Sequence, residues 1–306
     1  MITPNEQYTK LAQALGYDDL YFKREDLHPY GSHKGRSIPV MIDHYYERGV
    51  RHFAISSSGN AALAAAIHIG KLPDATLDIF VGTKIDDAKF EKLVKTLGGK
   101  DSIKNTTDQK IADNQWSSKD DRVKIFLKGR PLQALLEATK AGAQSLRQSD
   151  DDVALVGYED LAKEIATIPN AGAVFMGTSS GTTAQALATY FSNKGLPIQV
   201  HIVQTSFCHP ISDEFTKRDG NVGSIADAIV DKVALRKSSL IPLMHKTGGS
   251  GWCADDEDII SAQKLAKEYT GLEISTNSAL SVAGTILAKK AGHKISGAVV
   301  CVIGGK

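Results

Sequence analysis

Arg51-His52-Phe53-Ala54-Ile55-Ser56-Ser57-Ser58-Gly59-Asn60-Ala61-Ala62-Leu63-Ala64-Ala65-Ala66-Ile67-His68-Ile69 passes from a short apolar run, through a turn of Ser, Gly and Asn, into a longer apolar-periodic segment. This reads as strand, turn and helix. The same alternation continues outward. Arg51–Ile55, Leu77–Val81, Ala173–Met176, Ile198–Val203 and Ala298–Ile303 are strand candidates. Ala61–Ile69, Ala88–Leu97, Leu132–Leu146, Thr182–Phe191, Glu257–Tyr269 and Ser278–Lys289 carry apolar residues at helical spacing. Strands alternating with helices predict βαβ units and a mainly parallel sheet, hence an α/β fold. The polar stretch Asp101–Asp121 has too little apolar content for core and reads as a surface excursion.

At 306 residues the chain can build two packed α/β domains or one large one. Its 36 Lys+Arg balance 35 Asp+Glu, which gives no reason to expect nucleic acid or a membrane surface as partner. Cys208, Cys253 and Cys301 are far apart, with no CxxC pair, so neither zinc knuckle nor disulfide framework is expected. No apolar run approaches the ~20 residues of a membrane span, and Met1–Glu6 lacks the order of a secretory signal. The expectation is a soluble protein of the cytoplasm. No histidine spacing matches a metal motif, so no metal is expected.

Three segments carry candidate chemistry. In Gly31-Ser32-His33-Lys34-Gly35-Arg36 a lysine stands where a helix begins. A helix N-terminus carries roughly half a positive charge and disfavours another beside it, and a neutral amine is what an aldehyde cofactor needs. A solvated lysine opening a helix is the plainer alternative, and Pro39, some four residues in, argues for a later helix start. The turn Ser56–Asn60 directs backbone N–H groups and hydroxyls at one spot, suiting a substrate carboxylate, although Ser and Asn also cap helices for structural reasons. Gly177-Thr178-Ser179-Ser180-Gly181-Thr182-Thr183 lies between strand and helix and is either a phosphate cradle or an ordinary βα turn. It has neither dinucleotide-fingerprint spacing nor a Walker ending.

The order of these motifs resembles the fold-type-II pyridoxal-phosphate (PLP) enzymes: the cysteine synthase, threonine synthase, serine/threonine dehydratase and tryptophan synthase beta group. The resemblance implies an α/β protein of two domains, with mainly parallel twisted sheets flanked by helices, the tryptophan synthase beta-like PLP fold. It implies a smaller domain over residues 36–150, and a larger one, binding the PLP phosphate, from 1–35 plus 151–306. By the same resemblance Lys34 carries PLP and acts as general base, and His33 lies beside the cofactor. Asn60 faces the cofactor's 3-hydroxyl, and Ser57, Ser58, Gly59 and Asn60 receive the substrate carboxylate. Gly177, Thr178, Ser179, Ser180, Gly181 and Thr182 hold the phosphate. A hydroxyl facing the pyridine nitrogen is expected at Ser278, with Ser275 or Asn277 as alternatives, because Ile303 stands where the dehydratases place theirs; an N-cap for the helix Ser278–Lys289 is the plainer alternative for Ser278.

The implied reaction is β-elimination or β-replacement on a small L-amino acid, Ser, Thr or an O-activated derivative, in a homodimer. The motifs disagree on which. Lys23-Arg24-Glu25-Asp26-Leu27 is most similar to threonine synthase and the dehydratases, His33 to tryptophan synthase beta. Alternatives are a serine/threonine ammonia-lyase, a catalytically degenerate PLP- or phosphate-binding protein, and a nucleotide-binding α/β enzyme.

Overall fold

The computed structural model describes residues 1–96, 115–216 and 222–305. The chain packs as two compact units, Met1–His33 with Tyr158–Lys306, and Lys34–Gly157. It begins in the first with β1 (Asn5–Gln7), α1 (Thr9–Leu15) and β2 (Leu20–Lys23). It then builds the whole second unit: α2 (Lys34–Tyr46), β3 (His52–Ser56), α3 (Asn60–Ile69), β4 (Thr76–Gly82), α4 (Asp87–Thr96), β5 (Gln115–Ser117), β6 (Val123–Lys128), α5 (Pro131–Lys140), β7 (Gln144–Ser145) and α6 (Val153–Val156). The return to the first unit adds α7 (Glu159–Ala166), β8 (Ala171–Gly177), α8 (Thr182–Lys194), β9 (Gln199–Thr205), α9 (Lys237–Thr247), β10 (Gly251–Ala254), α10 (Asp256–Thr270), α11 (Thr276–Lys290) and β11 (Ala298–Val302). Among the described residues no helix is long and apolar enough to cross a membrane.

The first unit's sheet runs β1-β2-β11-β8-β9-β10, parallel except for β1 against β2. The second runs β5-β6-β4-β3-β7, parallel except for β5 against β6. Both are α/β layers as expected. Parallel strands covered on both faces must be apolar throughout, and β11, Ala-Val-Val-Cys-Val, is buried at every position. The neighbouring α11 is buried at Ser278 to Thr285 without a break and packs on β8, β9, β10 and β11. An opposing signal starts α10: Asp255 accepts from the Asp258 N–H while Asp258 accepts from that of Asp255. Such a capping box contributes about 1 kcal/mol.

Three sequence expectations need correcting. The helix read over Leu132–Leu146 stops at Lys140, and Gln144–Ser145 pairs with Phe53–Ala54 as an edge strand. Of the polar stretch Asp101–Asp121, residues 101–114 lie outside the described residues. The remainder includes β5, where Ser117 is buried and the Trp116 ring meets Phe90 edge-on at 4.7 Å, so that part is structured. Finally, α2 begins at Lys34 and runs through Pro39, which can give no N–H to the carbonyl of Gly35 four residues back.

The charged run is internal to the fold. Lys23 is fully buried, its Nζ 2.5 Å from Glu164 on α7 and donating to the Thr3 carbonyl at 2.7 Å. The Thr3 hydroxyl donates to the buried Glu25 at 2.5 Å, and Arg24 forks onto Asp26 with two bonds of 2.9 Å. These charges tie the first strands to α7.

A second buried polar group sits in β9. His201 is fully buried, stacked on Phe175 at 4.3 Å, with His293 edge-on at 4.9 Å. Its Nδ1 accepts from the Ser250 N–H and the Trp252 indole N–H, while Nε2 lies 2.9 Å from the Gln199 side-chain oxygen. Nδ1 is therefore unprotonated and Nε2 carries the hydrogen. Burial, with His293 beside it, pushes His201 down from the usual 6.5 to about 3. Below pH 6.5 the unfolded chain binds a proton there that the native ring refuses, so stability falls with pH until about 3. The expected slope is at most about 1.4 kcal/mol per pH unit. Urea midpoints measured from pH 7 to 4 should show it, and a His201→Gln variant should lose it; equal slopes in the two proteins would remove His201 as the cause.

Candidate active site

Lys34 is the first residue of α2, half-buried, and the residues before it are fixed to the end of the first unit. Ser32 forms a β-bridge with Gly305. The His33 N–H donates to the Gly304 carbonyl at 3.0 Å, and His33 Nδ1 lies 2.7 Å from that same oxygen. A carbonyl only accepts, so Nδ1 carries the hydrogen. The Tyr158 ring, fully buried, lies 6.0 Å from His33.

The turn Ser56–Asn60 joins β3 to α3 in the second unit. The N-cap is Gly59, which has no side chain to offer, and within the turn the Gly59 N–H donates to Ser57 Oγ at 3.3 Å. Ser57, Ser58, Gly59 and Asn60 are all half-buried. A helix opening in this way leaves N–H groups for an anion.

In the first unit, Gly177–Thr182 joins β8 to α8. The Thr178 N–H continues the sheet onto the Val203 carbonyl at 3.0 Å. The Ser179 carbonyl accepts from the Gln204 amide at 3.2 Å, and the Ser180 and Thr182 hydroxyls lie 3.0 Å apart where α8 starts. Two glycines are required. A Cβ on Gly177 would lie 2.7 Å from the Asn277 carbonyl oxygen; Gly181, the N-cap of α8, has φ +89° and a Cβ there would lie 2.9 Å from Leu240. The turn is thus a small-residue cradle opening a helix with no side-chain cap, which fits a phosphate.

Ser278 lies inside α11, buried, with its hydroxyl donating to the Gly305 carbonyl at 2.9 Å. The N-cap is Ser275, whose oxygen accepts from the Ser278 N–H and whose hydroxyl donates to Gly305 at 2.7 Å. Ser278 could serve a ring nitrogen as donor only by giving up its bond to Gly305. Asn277 turns instead to residues 227 and 228, and Ile303 is a buried part of the first unit's core. The first unit therefore gathers Ser32, His33, Ser275, Ser278, Gly304 and Gly305, and holds Gly177–Thr182; Lys34 and Ser57–Asn60 belong to the second. Sequence reasoning missed the Gly304 and Gly305 carbonyls and Gln204. Gln204 stands in β9 among other polar residues, Gln199, His201 and Thr205, so nothing local set it apart.

The family described as pyridoxal-phosphate dependent enzyme matches residues 2–305. The chain belongs to this family. Its cofactor is pyridoxal phosphate, and the residues present fit that group: a primary amine opening α2, and a Gly/Ser/Thr turn that opens α8 with no side-chain cap. The chain is 23% identical to the threonine synthase of Methanosarcina acetivorans over 293 residues, covering 92% of this chain and 68% of that protein. Among solved structures it is similar to a PLP-dependent aspartate racemase, with a TM-score of 0.77 and 18% identity, covering 100% of this chain and 90% of the other. It is also similar to threonine deaminase isoform 2 of Solanum lycopersicum, with a TM-score of 0.76 and 20% identity, covering 99% and 83%. At these identities the structures establish the fold.

Proposed function

We propose that the protein removes the α-proton of a small L-amino acid of the Ser/Thr type and expels or replaces its β-substituent. Bound pyridoxal phosphate supplies an electron sink that acidifies the α-carbon of an attached amino acid. Lys34 would hold the cofactor through its Nζ, and the same amine is the base placed to take the α-proton. Ser57, Ser58 and the Asn60 N–H, with Gly59 leaving room between them, bind the α-carboxylate, which orients the α-C–H. The Asn60 amide meets the cofactor's 3-hydroxyl, while Gly177–Thr182 grips its phosphate. His33, with its ring set by Gly304, shapes the approach to Lys34.

The observation that carries this reading is that two parallel strands, β3 and β8, each end in a Ser/Gly turn opening a helix whose N-cap residue is a glycine with no side-chain cap. Open α/β sheets place ligands at this end of their strands. Likeness to a threonine synthase and a threonine deaminase supports elimination or replacement as the reaction class.

The test is a titration of the yellow holoenzyme with Ser, Thr and their O-acyl and O-phospho forms, following visible absorption together with keto-acid and ammonia release. Keto acid from one of these, or a replacement product when a thiol or other nucleophile is added, is the expected result. Accumulation of the D-isomer alone would make the protein a racemase and overturn the proposal. A visible cofactor band unmoved by every amino acid would point to a binding protein, a second reading favoured by Ile303 and by the committed Ser278 hydroxyl.

A further inference from the structure

The Ser179 hydroxyl is held in a way that fixes what it can do. Its oxygen accepts from the Val230 N–H and the Asp231 N–H, both at 3.0 Å. A serine hydroxyl has two lone pairs and one hydrogen, so with both lone pairs engaged it can act further only as a donor. Among the described residues no group accepts that hydrogen. The Ser179 carbonyl is held separately by Gln204, so the residue is fixed at both its polar ends.

The segment that presents these two N–H groups is itself clasped. Asn277 Oδ1 accepts from the Ala228 N–H at 3.1 Å, and its amide lies 3.3 Å from Asp227. Upstream, Asp256 accepts from the Ser224 hydroxyl at 2.8 Å and the Ile225 N–H at 3.0 Å. Downstream, the Asp231 carboxylate accepts from the N–H groups of Val233 and Ala234, closing a turn behind the two donors. The backbone carbonyl of Asn277 also abuts Gly177, where a Cβ would be 2.7 Å away. Asn277 thus touches the phosphate turn with its backbone and the clasped segment with its side chain.

We propose that Asn277 is a positioning residue for the cofactor phosphate, acting through the 227–231 segment to keep Ser179 an obligate hydrogen-bond donor toward it. The inference rests on the reading of Gly177–Thr182 as the phosphate turn. A hydroxyl with no choice of role suits an acceptor-only phosphate dianion and is wasted on a neutral ligand.

The test compares pyridoxal phosphate with pyridoxal, which keeps the aldehyde and lacks the phosphate. Dissociation constants for both are measured by visible absorption for the wild type, Asn277→Ala, Ser179→Ala and the double variant. Asn277→Ala should weaken pyridoxal phosphate about tenfold, the scale of one charge-assisted hydrogen bond, and leave pyridoxal unchanged. The double variant should be no weaker than Ser179→Ala, because Asn277 works through that hydroxyl. Asp227→Ala, which takes away the carboxylate beside the Asn277 amide, should shift the same ratio in the same direction and serves if Asn277→Ala does not fold. An unchanged ratio in these variants, equal weakening of both ligands or additive losses overturns the proposal. A wild type that binds neither ligand would instead overturn the reading of the turn.

Discussion

Lys34→Ala should leave a folded protein to which borohydride no longer fixes the cofactor, with turnover lowered by at least about 10³-fold, since anchor and general base are lost together. The fold should tolerate the change. Lys34 is half-buried at the first position of α2, and alanine is the best helix former. Reduction, digestion and mass spectrometry of the wild type should find the phosphopyridoxyl group on the Lys34 peptide. Recovery of the label on another lysine, or a variant with near-normal turnover, would remove Lys34 from the chemistry.

Glu164→Ala should cost the first unit about 3–5 kcal/mol, the usual penalty for stripping one partner from a buried ion pair. The reason is geometric: Lys23 is fully buried, and Glu164, with its side chain only 11% exposed, is its carboxylate at 2.5 Å. The variant takes the 2.5 Å carboxylate from a fully buried ammonium, while the bond to the Thr3 carbonyl stays. Glu164→Gln, which keeps an acceptor oxygen, should lose less. Urea unfolding followed by tryptophan fluorescence measures both, and a Glu164→Ala loss below about 1 kcal/mol would mean that the pair is solvated in solution.

What the sequence disclosed follows from how local the signal is. Strands β3, β4 and β9 lie within one residue of their expected starts because a parallel strand is an apolar run bounded by turn residues. Helix α3 likewise follows from its alanines. Asn5-Glu6-Gln7 has no such run and becomes a strand only by pairing antiparallel with Tyr21–Lys23. Gln144–Ser145 is two residues long, and its pairing with β3 overrides a helical spacing that continues through Leu146.

The site divides along the same line. Its Gly-rich turns were legible because they need small residues at fixed places, which is local chemistry. The fate of Lys23 and Glu25 was not, since a charged run looks solvated unless its partner is known, and Glu164 lies 141 residues away. Ser278 was equally opaque. A serine near a helix start predicts a cap, yet Ser275 takes that role and Ser278 is spent on Gly305, 27 residues on. The clasp of Asn277 on residues 227 and 228 spans about 50 positions and has no expression in composition.

The placement of β11 bears on how the molecule is made. Every strand of the second unit lies between residues 52 and 145, so that sheet can close while the ribosome is still at work. In the first unit β11 slots between β2 and β8, so β2 must wait, one edge unpaired, for a neighbour translated some 275 residues later. From Gly157 to Ala298 is about 140 residues, roughly 7–30 s of synthesis at about 5–20 residues per second. Until β11 is made, the edges of β2 and β8 that it will occupy stay open, and it is then that a nascent chain most needs a chaperone.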